Sequence, residues 1–405
     1  MAVSLACALP CSAYAEDEFS EKGEKISPSQ TETATAFQAN EAIAAIAAPA
    51  DVSALSAVVI EADSGRVLWG KQENTRRPMA STTKIMTTLI TLESGDLDTE
   101  FTVDSTAVLT EGSSMGLVQG DIVTKRDLCI GMLLPSGNDA ANCAAVKISG
   151  TMEKFADLMN ARAAQMGLSN THFVTPSGLH HNDHYSTAYD MALLASKALQ
   201  NPDFAAICRE PSISLDFGNP PYNRTLANTN KLLKMYPDCI GVKTGFTDEA
   251  GRCLVSAAER DGVRLVCVTL NAPNDWNDHT LLLDYGFSLT SRKPLAGGFT
   301  YTPNVAGGIS DTVTLVPEYP PEYTDIANCN RNITWKIAAS PMLFAPVKSG
   351  ETLGTLTLYD GETPIAAIPM VAAEDIPISS ALPPKQNPLR LIIDTVKDKL
   401  KALFA

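Results

Sequence analysis

The sequence predicts a mixed α/β domain of roughly two hundred residues or more, followed by a small all-β domain. Three observations predict it. Apolar runs read as strands at both ends of the stretch 51–295, with helical patterns between them. After residue 295 the texture changes to short β-rich runs punctuated by Gly and Pro, as in FTYTPNVAGG, TVTLVP, NITWKIAA and ETLGTLTLYDGETPIAAIPM. The chain has 405 residues, 45% hydrophobic and 19% charged, enough to bury a core in each domain.

The first residues, MAVSLACALPCSAYAED, are apolar and end in Ala13-Tyr14-Ala15 before Glu16. They read as a secretory signal over 1–15 that lacks its positive n-region. Residues 16–50 are polar and then alanine-rich, a linker composition. In SALSAVVIEADSGRVLWGK, two apolar runs flank Asp63-Ser64-Gly65, a β-hairpin. Pro78 cannot sit inside a helix, so the helix of RRPMASTTKIMTTLITLES begins after it. Ile85, Met86, Leu89 and Ile90 share one face, Leu92 widens it, and burial nearly all round is expected. Ser186 or Thr187 is placed to cap a helix over AYDMALLASKAL. IGVKTGF reads as a strand. In CLVSAAERDGVRLVCVTL, Asp261-Gly262 joins two further strands in a register that sets Ser256 opposite Cys267. The second domain is expected over 296–384, and a proline-containing joint, ALPPKQNP, leads into a last segment at 385–405.

A formal net charge of -15 argues against nucleic acid as a partner, because no basic face is visible in the body of the chain. No run of 18 apolar residues occurs. Beyond the signal, Cys129, Cys143, Cys208, Cys239, Cys253, Cys267 and Cys329 form neither a disulfide framework nor a zinc knuckle and read as small buried hydrophobes.

Three short motifs carry chemistry. In Ser81-Thr82-Thr83-Lys84 the first and last residues are neighbours on a helix surface, so the amine can reach the hydroxyl. A serine needs a base, and a lysine serves as one only when neutral, which burial and nearby positive charge promote. Ser136-Gly137-Asn138 falls in a loop between helical patterns, where a hydroxyl can pass a proton and an amide can hold a carbonyl; taken alone it reads as a helix cap. Lys243-Thr244-Gly245 lies on a strand, where the first two residues can hold a carboxylate and Gly245 lets a substrate backbone approach. Each motif is weak alone; their order and their placement on helix, loop and strand are specific.

With these motifs the chain resembles the low-molecular-weight penicillin-binding proteins, the serine D-alanyl-D-alanine carboxypeptidases of peptidase family S11. The resemblance covers roughly 51–375 and includes RRPMASTTKIMT, LLPSGNDAA, TPSGLHHNDHYSTAYDMALLA, NTNKLL, GVKTGFTDEAGRCLVS and PVKSGETLGTLTLYDGETPIAAIPMVAAEDI. It implies a β-lactamase/transpeptidase-like domain with a five-stranded antiparallel sheet and flanking helices over 51–295, then a β-sandwich-like domain. It implies that Ser81 is acylated, that Lys84 is its base, and that Ser136 relays a proton to the departing D-Ala. Asn138 would bind the peptide, and Lys243, Thr244 and Thr247 the terminal carboxylate. Backbone N–H groups of Ser81 and Phe246 would form the oxyanion hole. No metal or cofactor is implied. The implied substrates are peptidoglycan stem peptides ending in D-Ala-D-Ala, with β-lactams as covalent ligands, on the outer face of the cytoplasmic membrane.

Two other features compete for a role. His180, His181, Asp183 and His184 could ligate zinc, but GLHHNDHYS has loop character, matches no H-E-x-x-H helix and is expected to be a solvated loop. In the tail, Leu389, Ile392, Ile393, Val396, Leu400, Leu403 and Phe404 share a helical face flanked by Lys385, Arg390, Lys397, Lys399 and Lys401, which reads as an interfacial membrane helix over 385–405 in preference to a helix packed on the protein's own body. A catalytically silent scaffold of the same fold is the alternative function; the intact motifs argue against it.

Overall fold

The computed structural model describes residues 47–379. The expected signal at 1–15, nearly all of the linker and the amphipathic tail at 385–405 lie outside the described residues.

The hairpin around Asp63-Ser64-Gly65 joins β1 (Ser56–Glu61) to β2 (Val67–Lys71). Three more strands, β3 (Cys239–Thr247), β4 (Gly251–Arg260) and β5 (Val263–Leu270), complete a sheet of order β2-β1-β5-β4-β3 with every neighbour antiparallel. Asp261 and Gly262 both take positive φ, the requirement of a tight two-residue hairpin turn, and Ser256 pairs with Cys267 as expected. β3 is an edge strand, which leaves one side of its backbone open.

The sheet is covered on both faces, so its inner strands β1, β4 and β5 carry near-continuous buried runs. Val58 and Ile60 of β1 enter the larger core, together with α1 (Lys84–Glu93), α2 (Lys125–Leu133), α3 (Asn138–Ser149), α4 (Met152–Gln165), α5 (Ala188–Ala198) and α6 (Pro202–Cys208). Ala57 and Val59 alternate into the opposite core, where Leu282 and Leu283 of α7 (Asp275–Ser288) pack. Trp276 lies in α7, and His279 is buried there between the hydroxyls of Ser256 and Thr269.

A 3₁₀ turn, Ala80–Thr83, precedes α1, so the helix after Pro78 opens with a tighter turn than the sequence suggests. From Lys84 to Leu92 every residue of α1 is buried. Thr187 caps α5 by accepting the Asp190 N–H. α3 begins after Gly137 with no side-chain cap, so neither Ser136 nor Asn138 is spent on capping. All seven cysteines of the described residues are free thiols; five are buried, and Cys239 and Cys329 are half-buried.

In the C-terminal part, Leu315–Pro317, Thr363–Ala372, Thr352–Asp360 and Ile333–Ala339 lie side by side in that order. Leu315, Leu356, Leu358, Ile368 and Met370 form their core. The strand Thr290–Pro294, before the expected boundary at 295, pairs with Glu322–Ile326 beyond it. A second tie is ionic: Asp360 meets both Arg66, beside the β1–β2 turn, and Arg331.

Candidate active site

The start of α1 sits under the edge of β3. Gly245 has no side chain there, and a Cβ would lie 3.1 Å from Met79 O, Ser81 N and Thr82 N. The glycine expected to admit a substrate therefore first admits the backbone that carries Ser81. The same economy recurs opposite. Gly178 takes φ +85°, and a Cβ on it would fall 2.0 Å from the Ala80 carbonyl oxygen. Two glycines thus let two segments close on the 3₁₀ turn from different sides.

Lys84 lies between them, fully buried. Its Nζ is 2.9 Å from Ser81 Oγ, 2.7 Å from Asn138 Oδ1 and 2.6 Å from Ser177 O. The amide orientation of Asn138 is set by its other end, where Nδ2 donates to Glu111 O at 2.7 Å. Both oxygens facing the amine can only accept. A neutral amine spends its two N–H bonds on them, and its lone pair is left for the Ser81 O–H. Burial, and then the positive charge of Lys243, push the Lys84 proton affinity well below the ordinary 10.5, against a smaller pull from Asp139.

Lys243 is likewise fully buried, and burial holds its pKa down to about 7. Its Nζ donates to Thr244 O at 2.9 Å. The Thr244 hydroxyl is 2.7 Å from that of Thr229, in the NTNKLL stretch. Thr247 Oγ1 accepts the Ala250 N–H in the β3–β4 turn, and Phe246 exposes its ring to solvent. Ser136 is buried in the left-handed region at φ +67°, and its hydroxyl makes no hydrogen bond with another described residue.

Family models cover most of this fold. One described as D-alanyl-D-alanine carboxypeptidase matches residues 42–274, more than half of the chain. The chain belongs to the D-alanyl-D-alanine carboxypeptidase family. A second model, the C-terminal domain of penicillin-binding protein 5, matches 290–377. D-alanyl-D-alanine carboxypeptidase DacF of Bacillus subtilis (strain 168) is 35% identical over 337 residues, 80% of this chain and 86% of that protein. DacC of Escherichia coli (strain K12) is 30% identical across 84% of this chain and 88% of its own. Among solved structures, the carboxypeptidase DacD from Francisella tularensis aligns with a TM-score of 0.59 at 28% identity, covering 84% of this chain and 98% of that one. The Streptomyces K15 DD-transpeptidase aligns with a TM-score of 0.57 at 33% identity, covering 60% of this chain and all of its own.

The structure brings Ser81, Lys84 and Asn138 into direct contact and sets Lys243, Thr244 and Gly245 on the strand beside them. Sequence reasoning missed Asp139. Its carboxylate accepts from Ser114 Oγ and from the N–H groups of Met115, Gly116 and Leu117, and so clasps the loop whose Glu111 carbonyl orients Asn138. An acid at a helix start directly after S-x-N was the available signal. Ser177 was missed because it acts through its carbonyl, which no side-chain motif records. The histidine cluster divides. His180, His181 and Asp183 are exposed, as a solvated loop requires, but His184 is only 3% exposed and points under the 3₁₀ turn. Among the described residues no group of three His, Cys, Asp or Glu could hold a metal ion.

Proposed function

We propose that the chain removes the terminal D-alanine from peptidoglycan stem peptides through an ester on Ser81. The observation that supports this most is the buried Lys84 amine, with two acceptor-only partners and one hydroxyl. Lys84 takes the Ser81 proton as Oγ attacks the carbonyl of the penultimate D-Ala. The C–N bond breaks, and the proton passes by way of Ser136 to the leaving amine. Water then cleaves the ester. Lys243 and the Thr244 hydroxyl hold the terminal carboxylate, with Thr247 beside them, and Asn138 holds the peptide. The N–H groups of Ser81 and Phe246 receive the oxyanion, a reading favoured by the approach of Gly245 to Ser81 N. β-Lactams acylate the same serine. TPSGLHHNDHYSTAYD carries no glutamate to hold a hydrolytic water, so that adduct should be long-lived.

The test is release of free D-Ala from a peptide ending in Lys-D-Ala-D-Ala, with the L-Ala-terminated peptide as control, and mass mapping of the penicillin adduct. Release from the D,D peptide alone, an adduct on Ser81 and loss of both in Ser81→Ala support the reading. Rapid multiple turnover of penicillin without D-Ala release would overturn it in favour of a β-lactamase. Activity that EDTA removes and Ser81→Ala does not would return the histidines to view.

We further propose export to the outer face of the cytoplasmic membrane, supported by the composition of 1–15, and surface attachment through 385–405, supported by the basic amphipathic pattern there. Among the described residues no helix is long and apolar enough to cross a membrane. The mature full-length chain should sediment with anionic vesicles, and a chain ending at Pro384 should not. Equal sedimentation removes the anchor.

A further inference from the structure

His184 has no part in the chemistry above, yet both of its ring nitrogens are committed. Nδ1 lies 2.9 Å from Val174 N and 3.3 Å from Thr175 N, so it accepts. Nε2 is 2.7 Å from Thr83 Oγ1, whose own proton goes to Ala80 O at 2.8 Å. Thr83 can therefore only accept from the ring, and His184 is the neutral tautomer with its hydrogen on Nε2. Phe173 packs edge-on against the imidazole. The ring is a strut of set length between the loop 174–178 and the second threonine of Ser81-Thr82-Thr83-Lys84.

That loop carries one of the two acceptors that aim the Lys84 lone pair. Thr87 Oγ1 donates to Pro176 O at 2.6 Å, and Lys84 Nζ reaches Ser177 O at 2.6 Å. Gly178 lies against Ala80 with no room for a Cβ. Displacing the loop by a fraction of an ångström moves Ser177 O, and the amine must turn to follow it. The lone pair then leaves the Ser81 hydroxyl, although every reacting group is still present.

We propose that His184 is a positioning residue for the acylation step, holding Ser177 O at the distance from the 3₁₀ turn that aims Lys84 at Ser81. It touches neither substrate nor reacting atoms. The inference rests on Ser81 and Lys84 being the acylation pair.

Noncovalent penicillin affinity and the acylation rate constant, measured separately by stopped flow, test it in three variants. His184→Phe fills the volume and makes neither bond. His184→Asn keeps an acceptor near Val174 N–H but loses Thr83. Thr83→Val removes the same bond from the other side with little change of shape. The acylation rate constant should fall about 10- to 100-fold in His184→Phe, less in His184→Asn and comparably in Thr83→Val, with affinity within about twofold of the native value. The double variant should be no slower than the slower single one, since both cut one path; plain destabilisation would make the losses add. The pH at which acylation is half-maximal should also move, because an amine that turns changes its distance from Lys243 and Asp139, the charges that act on Lys84; the groups that face His184 are Lys84, His172, His180 and His181. Native-rate acylation by folded His184→Phe, or by Thr83→Val if the histidine variants do not fold, overturns the proposal. An unlabelled Ser81 in the native chain overturns the acylation reading instead, which keeps the two failures distinct.

Discussion

The cleft and the seam between the domains both bury cationic side chains, and they treat them in opposite ways. At the seam Asp360, with a side chain 2% exposed, faces Arg331 at 3.0 Å and Arg66 from the other domain. In the cleft Lys84 and Lys243 are equally buried, and neither makes an ion pair with a described residue; the carboxylate of Asp139 is turned onto backbone N–H groups instead. A guanidinium keeps its proton almost anywhere and must be paired, whereas a lysine left unpaired in a dry site holds its proton less tightly, as both Lys84 and Lys243 do. The lesson is that burial without a counter-ion loosens a proton, and burial with one produces a joint.

The comparison breaks if removing either kind of charge has the same consequence. Lys84→Met should lower penicillin acylation by about 10³-fold or more, through loss of the general base. Its melting temperature should change little, because removal of a buried amine with no counter-ion offsets the loss of its bonds to Asn138 Oδ1 and Ser177 O. A melting temperature several degrees lower would mean that Lys84 is structural.

Asp360→Asn should do the reverse. Leaving Arg331 buried without its carboxylate should cost about 3 kcal/mol in denaturant unfolding, with acylation of Ser81 at the native rate. A loss below about 0.5 kcal/mol would place this pair among the surface bridges that contribute little.

The smallest effect expected is on pH dependence. Lys84 acts when neutral, so acylation rises with pH and levels off well below the ordinary lysine value of 10.5. In the role proposed for it Lys243 would hold a carboxylate only when charged, and with its pKa held down to about 7 capture should fall as pH rises past that point. The fall should appear in kcat/KM for a peptide ending in free D-Ala and be absent for its C-terminal amide. An identical alkaline limb for both would remove Lys243 from carboxylate recognition.

Legibility followed chain distance. The sheet was largely readable because its signals are local: Asp63-Ser64-Gly65 and Asp261-Gly262 each specify a turn, and the second sets Ser256 opposite Cys267. α1 was readable because Ile85, Met86, Leu89 and Ile90 share one face and Leu92 widens it, though the 3₁₀ turn before Lys84 was not. Ser136-Gly137-Asn138 alone resembled a helix cap; the structure gives that helix no side-chain cap. His184 was read with its neighbours because composition cannot separate an exposed loop histidine from one turned inward by a single bend.

The sequence by itself determined the family and the order of its motifs: a serine with a lysine one helical turn away, an amide, a Lys-Thr-Gly strand, and the domain that follows. Tertiary structure alone decided which lone pair points where. The Lys84 contacts to Asn138 and Ser177, and the His184 contact to Thr83, join residues separated by 54, 93 and 101 positions. One of those contacts ends on a main-chain carbonyl that any residue type could supply. A motif records side chains at short spacing. The direction of a lone pair depends on tenths of an ångström between segments that meet only once the core has closed, and Gly178 and Gly245 are where that closure leaves no space for a side chain.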